Sequence, residues 1–274
     1  MPVFEHNGKY GLFIHIPKTG GKSIIEYLKD GGCRVSFTDN ASSVLGLAGL
    51  RRPEWDATWQ VPSELLQERD MSRAFYWMSH EAEQVCGGFL AASLFPVDRS
   101  RGSWRLPVVP QHVQRDILES SFKLDKISWI FTMVRDPMER CVSRYRSAIK
   151  RGLDATGKDV IVPTDTFLAT SNMKEDFYNW IKGSQKQWKK NPYYADNHFR
   201  PQADFILPRC KVFTYPHYHE LINYLEAEVG LPKSEFKKIG SSSGPIPTVS
   251  PKSERLIKEW YHSDYEFLKN EQFV

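Results

Sequence analysis

The stretch Tyr10-Gly-Leu-Phe-Ile-His-Ile-Pro-Lys-Thr-Gly-Gly-Lys-Ser23 starts as an apolar run, breaks at a proline and continues as a glycine-rich, basic loop. Residues Tyr10 to Ile16, with His15 as the polar exception, have the continuous apolar character of a strand buried on both faces in a parallel sheet. Ser23 to Leu28 predicts a helix, ended by Asp30-Gly31-Gly32. Strand, glycine loop and helix make half of a βαβ unit, and such a loop turns the N–H groups of a helix start toward an anion. Gly21-Lys22-Ser23 matches the second half of the Walker A pattern GxxxxGK[ST], but its first glycine would fall on Ile16, and Pro17 has no N–H to offer a phosphate. The loop is tighter than a triphosphate cradle, and Lys18 at the strand end is its better-placed lysine. Pro17, Lys18, Thr19, Gly20, Gly21, Lys22 and Ser23 are therefore expected to form an anion site, with the anion left open.

A second unit repeats the design. Ile127 to Val134 reads as a strand, Arg135-Asp136-Pro137 as a break, and Met138 to Lys150 as a helix that Asp136 caps and Pro137 opens. The planar fork of Arg135 suits a terminal phosphate through two parallel hydrogen bonds. Helices are expected at His112 to Ser121, Phe167 to Ile181, His217 to Val229 and Ser250 to Tyr261, with a short strand at Lys211 to Tyr215. This alternation predicts an α/β fold with a central, mainly parallel sheet flanked by helices on both faces. The Pro-, Ser- and Arg-rich stretch Phe95 to Pro110 reads as a long loop.

The 274 residues, 41% hydrophobic, are enough for one large domain spanning the whole chain. Variable insertions are expected near 39–110 and 152–197, the segments left for ligand choice. With 37 basic against 33 acidic residues the balance suits anionic ligands, and the absence of one dominant basic tract argues against nucleic acid. Cys33, Cys86, Cys141 and Cys210 show no CxxC pairing, so neither zinc nor a disulfide framework is indicated and a reducing compartment is the simpler reading. No leader pattern and no long apolar stretch is visible, and Met1 stands close to the first motif; a complete, cytoplasmic chain is expected. Oligomeric state is not encoded in any pattern found.

FIHIPKTGG, at Phe13 to Gly21, resembles the 5′-phosphosulfate loop of sulfotransferases that use 3′-phosphoadenosine 5′-phosphosulfate (PAPS). The likeness is greatest to the carbohydrate branch, which contains the heparan and chondroitin O-sulfotransferases, and to its bacterial relatives. FTMVRDPMERCVSRY, at Phe131 to Tyr145, is similar to the same family's 3′-phosphate element, with Arg135 and Ser143 at its arginine and serine. The pair is far more specific than either motif alone. HFRPQADFI at His198 to Ile206 and WYHSDYEFL at Trp260 to Leu268 extend the resemblance along most of the chain. It implies a P-loop-like sulfotransferase fold, PAPS as sulfuryl donor and a hydroxyl acceptor, most readily a carbohydrate. It also implies substrate contacts from the HFRPQ segment, at His198, Arg200 and Gln202. Lys22 departs from the family, which commonly has a small hydroxyl residue there.

Sulfuryl transfer, like phosphoryl transfer, needs the acceptor oxygen, sulfur and leaving oxygen in line, with charge growing on the leaving phosphate. Lys18 is placed to meet that charge, assisted by loop amides from Thr19 to Gly21. No carboxylate cluster demands magnesium, and metal-independent chemistry is expected. A base must take the acceptor proton. His112, in PQHVQRDI, leads as base or substrate contact, with His80 beside Glu81 second. His15 reads as a buried structural histidine, and His217 and His219 as surface or capping groups. Basic groups that could meet an acidic acceptor are Arg144, Arg146, Lys150 and Arg151, Lys186, Lys189 and Lys190 around Trp188, and Arg99, Arg101 and Arg105 near Trp104; each is more often a solvated face. Gly240 to Thr248 is a weak candidate for a loop closing over the adenosine. The rival readings are a P-loop kinase or NTPase, favoured by Gly21-Lys22-Ser23 alone, and a non-catalytic binder of anionic glycan or nucleotide.

Overall fold

The computed structural model describes residues 2–35, 63–65, 76–77, 90–91, 110–151, 173–195, 197–240 and 246–270. Strands β1 (Val3–His6) and β2 (Lys9–Ile14) form a hairpin, followed by α1 (Gly21–Asp30) and the short β3 (Arg34–Val35). Two further short strands, β4 (Tyr76–Trp77) and β5 (Leu90–Ala91), pair only with each other. Helix α2 (Arg115–Ser121) leads into β6 (Trp129–Val134), which feeds α3 (Pro137–Arg151). The chain continues through α4 (Met173–Lys190), β7 (Lys211–Thr214), α5 (Tyr218–Tyr224) with a π turn at Leu225–Val229, α6 (Pro251–Trp260) and α7 (His262–Asn270).

The main sheet has the order β3-β1-β2-β6-β7. Strands β2, β6 and β7 run parallel, while β1 is antiparallel to both β2 and β3. The sheet is therefore mixed, which corrects the mainly parallel expectation. The error lies at one place: Asn7 and Gly8 both take positive φ, 50° and 72°, as a tight hairpin turn requires. Asn-Gly between two apolar runs is a strong hairpin signal, and it was readable.

Alternation along the strands divides the core. Val3, Leu12, Ile14, Ile130 and Val134 point to one face with Leu118, Phe122 and Phe205. Phe4, Phe13, Phe131, Met133 and Phe213 point to the other, against Ile24, Ile25 and Leu28 of α1 and Leu221 and Leu225. Both faces are covered, as a βαβ arrangement demands. A third cluster joins α3, α4 and α6 through Cys141, Tyr145, Phe177, Ile181 and Ile257. Phe177 and Ile181 are fully buried, so α4, in the later part of 152–197, contributes to the core. Among the described residues no helix is long and apolar enough to cross a membrane.

Candidate active site

Strands β2, β6 and β7 are parallel neighbours, so the turns that follow their C-terminal ends lie side by side. Ligand crevices of open α/β sheets form at such ends. The turn after β2 carries Lys18, the turn after β6 carries Arg135, and β7 runs directly into Tyr215.

The first turn is shaped largely by its own residues. Thr19, fully buried, donates its hydroxyl to the Ile16 carbonyl at 2.8 Å. Lys18 adopts a left-handed conformation with φ 73°. A side chain in that region costs about 1–2 kcal/mol, a strain that accumulates where function over-determines the backbone. Gly20, at φ 92°, is the N-cap of α1 and offers no side chain to cap it. Gly21 has no room for one: an added Cβ would stand 2.0 Å from His15 Cδ2. The first turn of α1 contains no acidic residue, which leaves its positive end unopposed from within. Lys18 Nζ donates to Ser147 Oγ of α3 at 2.6 Å. Ser143 lies one helical turn before Ser147, hence on the same side of α3.

Lys22 is exposed. Ser23 is buried and accepts a hydrogen bond from the Ile239 N–H at 2.8 Å, which brings the chain leading to Gly240 against the start of α1. Residues 241–245 of the expected adenosine loop lie outside the described residues.

The second turn is held by others. Asp136 caps α3, accepting the Glu139 N–H at 2.9 Å, as expected. Gln202 accepts the Arg135 N–H at 3.0 Å through Oε1, and its Nε2 donates to the Arg135 carbonyl at 2.7 Å. Gln202 is 1% exposed, and Nε2 also reaches Asp264 Oδ2 at 3.3 Å. Its amide is spent on the protein, and it holds the Arg135 turn instead of meeting an acceptor. The Arg135 guanidinium lies 4.4 Å over the Tyr215 ring and donates to Glu139 Oε2 at 3.0 Å. An added Cβ at Gly20 would come within 3.0 Å of the same tyrosine. Tyr215 thus stands between the two turns, a contact that the strand reading of Lys211 to Tyr215 did not foresee.

Beside the first turn His15, His112 and His198 form a row, with ring centroids 5.0 Å and 5.2 Å apart. Burial, and then the charges of His112, the N-terminus, Lys22 and Lys18, hold His15 well below the ordinary imidazole range. This favours a neutral His15 ring, and among the described residues its Nδ1 has no hydrogen-bond partner. His112 is also buried, at the end of a short 3-10 turn, Pro110–His112. Asn197, fully buried, donates to the His112 carbonyl at 2.9 Å and fixes that turn. Arg200 is engaged by Asn197 Oδ1 at 3.0 Å and Asp204 at 3.2 Å.

His80, Arg99, Arg101, Trp104 and Arg105 lie outside the described residues. Trp188 packs on Trp260 at 5.7 Å between centroids. Arg144, expected on a solvated face, is buried with its guanidinium over Phe199. Lys186, Lys189 and Lys190 are exposed, as are His217 and His219. Among the described residues, no group of three or more His, Cys, Asp or Glu is placed to hold a metal.

Two turns on adjacent parallel strands each open a helix, and they carry Lys18 and Arg135. A model of the sulfotransferase family matches residues 8–269. The chain belongs to the sulfotransferase family. The match spans both turns, the HFRPQ segment and α7, so this sulfotransferase-family chain carries the shared frame nearly end to end. No curated protein and no solved structure matches it. The family indicates sulfuryl transfer to a hydroxyl-bearing acceptor.

Proposed function

We propose that the protein transfers the sulfuryl group of PAPS to a carbohydrate hydroxyl, with the donor's 5′ end on the Lys18 turn and its 3′-phosphate on the Arg135 turn. The observation that carries this reading is the placement of Lys18 and the uncapped start of α1 beside Arg135, with Tyr215 between them. Support for a carbohydrate acceptor comes from the likeness of Phe13–Gly21 and Phe131–Tyr145 to the carbohydrate branch. The buried thiols of Cys33 and Cys141 suit a reducing cytoplasm.

In the proposed reaction the acceptor oxygen attacks sulfur as the bond from sulfur to the 5′-phosphate oxygen breaks. The electron pair leaves on that phosphate, and Lys18 and the N–H groups of Thr19 to Gly21 stabilise its growing charge. His112 takes the acceptor proton; His80 is the second candidate for that role. A lysine ammonium has three donors, so Lys18 can meet the leaving oxygen from beside Ser147 and add a charged acceptor to a neutral one. Arg135, with Ser143, holds the 3′-phosphate. Lys22 and Ser23 complete the donor site, and His198 and Arg200 border the acceptor. No step calls for a metal ion.

Thermal stabilisation tests the donor assignment, because a ligand that binds only the native state raises its melting temperature. Adenosine 3′,5′-bisphosphate without metal is expected to stabilise the protein and ATP with magnesium is not. Stabilisation by ATP–magnesium alone would replace the transferase by the kinase reading. Arg135→Ala should weaken the bisphosphate while sparing adenosine 5′-phosphate.

A further inference from the structure

We propose that the buried Arg140–Asp264 pair is a positioning device that sets the two anion-binding turns relative to one another. Neither residue belongs to either turn, and neither touches the donor in the reading above, on which this inference rests. Arg140 is 2% exposed and Asp264 is fully buried. The guanidinium spends its donors on main-chain carbonyls of segments that carry site residues. Nε donates to the Pro17 carbonyl at 3.2 Å, immediately before Lys18. Nη2 donates to the carbonyls of His198 at 3.1 Å and Arg200 at 2.7 Å. Nη1 faces Asp264 Oδ2 at 3.8 Å.

Asp264 carries the connection onward. Its Oδ1 accepts the Ala203 N–H at 3.0 Å and its Oδ2 accepts from Gln202 Nε2 at 3.3 Å. Gln202 in turn grips both the N–H and the carbonyl of Arg135. An unbroken path therefore runs from Pro17 through Arg140, Asp264 and Gln202 to Arg135. It spans the chain, since the turn after β2 supplies Pro17, α3 supplies Arg140 and α7 supplies Asp264.

The chemistry favours positioning over plain stabilisation. Burying two ions costs more desolvation than a packed apolar pair would, so such a pair is weak support for stability taken alone. Burial pushes the Asp264 carboxyl up while Arg140 and the bonds from Gln202 and Ala203 oppose it. What the pair supplies is direction: planar donors fixed on three carbonyls whose neighbours must hold their places. Arg140 ties the 5′ loop, through the Pro17 carbonyl, to the path that ends on the Arg135 backbone.

Calorimetric titration with adenosine 3′,5′-bisphosphate and adenosine 5′-phosphate separates this role from folding, because the ratio of the two affinities isolates the 3′-phosphate contribution. Asp264→Asn, which keeps size and shape, should cut that ratio about tenfold while changing the monophosphate affinity less than about twofold. Arg140→Lys should weaken both ligands, through loss of the hold on Pro17. Gln202→Met removes only a neutral amide, and decides the matter through the same ratio if Arg140→Lys does not fold. A lower melting temperature with an unchanged ratio in Asp264→Asn and Gln202→Met would reduce the pair to a structural role and overturn the proposal. If the wild-type protein itself shows no preference for the bisphosphate, the Arg135 assignment falls and this inference falls with it.

Discussion

The turns after β2 and β6 solve the same problem by opposite means. The β2 turn is shaped largely from inside, with Arg140 holding its Pro17 carbonyl: Lys18 is strained into the left-handed region, Thr19 bonds back to Ile16, and Gly21 yields its side-chain space to His15. The β6 turn is built from outside: Gln202 grips its backbone, and Glu139 and Tyr215 hold its arginine. An internally strained loop keeps its shape when a ligand arrives and departs. An externally held cation must exchange partners to bind one. The difference predicts that substitutions in the first turn act on geometry and turnover, and those around the second act on affinity.

The largest expected effect is at Gly21. In Gly21→Ala the new methyl meets the buried His15 ring, and overpacking of this kind costs about 1–3 kcal/mol. Because the collision is at the first residue of α1, loss of donor binding should exceed loss of stability. Urea unfolding and calorimetric titration on one sample check this, and an alanine variant that binds normally would show that the loop is not shaped by that contact.

Lys18 separates shape from charge. Glycine relaxes a left-handed residue, so Lys18→Gly should leave stability unchanged or raise it by up to about 1 kcal/mol. Turnover should fall at least about a hundredfold, as when a donor to a developing oxyanion is removed. Equal loss of stability and activity would mean that the lysine serves the fold.

Much of this contrast was legible in the sequence. Ile14 and Val134 end apolar runs, and Gly20-Gly21 and Asp136-Pro137 announce the loop and the cap. What was not legible is whatever passes through main-chain atoms. Arg140 looks like an ordinary helical arginine, because its acceptors are carbonyls of Pro17, His198 and Arg200, which no residue type advertises. Gln202 was read as an acceptor contact, and its hold on Arg135 escaped for a related reason, as did Tyr215: their partners are distant in sequence and only the fold brings them together. His15 was readable as buried, since it interrupts an apolar run; its place in a row with His112 and His198 was not.

That row gives the first turn a pH dependence. The folded protein holds His15 below the ordinary value of about 6.5, so the unfolded chain takes up the proton first as pH falls. The stability linked to His15 is therefore complete above that value and is lost below it, by at most about 1.4 kcal/mol per pH unit for one proton. His15→Gln should flatten the slope of unfolding free energy between about pH 6.5 and 5. An identical slope in the variant would show that His15 does not carry the effect.

The second turn predicts the smallest effect and the most diagnostic one. Glu139 is about half exposed and neutralises Arg135 across one helical turn, so it competes with any phosphate that Arg135 is to hold. Glu139→Gln removes the charge and keeps the shape. Exposed pairs of this kind are worth about 0–1 kcal/mol, so affinity for adenosine 3′,5′-bisphosphate should rise by no more than about fivefold. Adenosine 5′-phosphate, which lacks the group that Arg135 meets, should bind as before. Salt screens the competition in the wild-type protein, and the gain should shrink as ionic strength rises. A gain shared by both ligands would place the Arg135–Glu139 pair outside the 3′-phosphate site, because only a contact made by that phosphate can tell the two nucleotides apart.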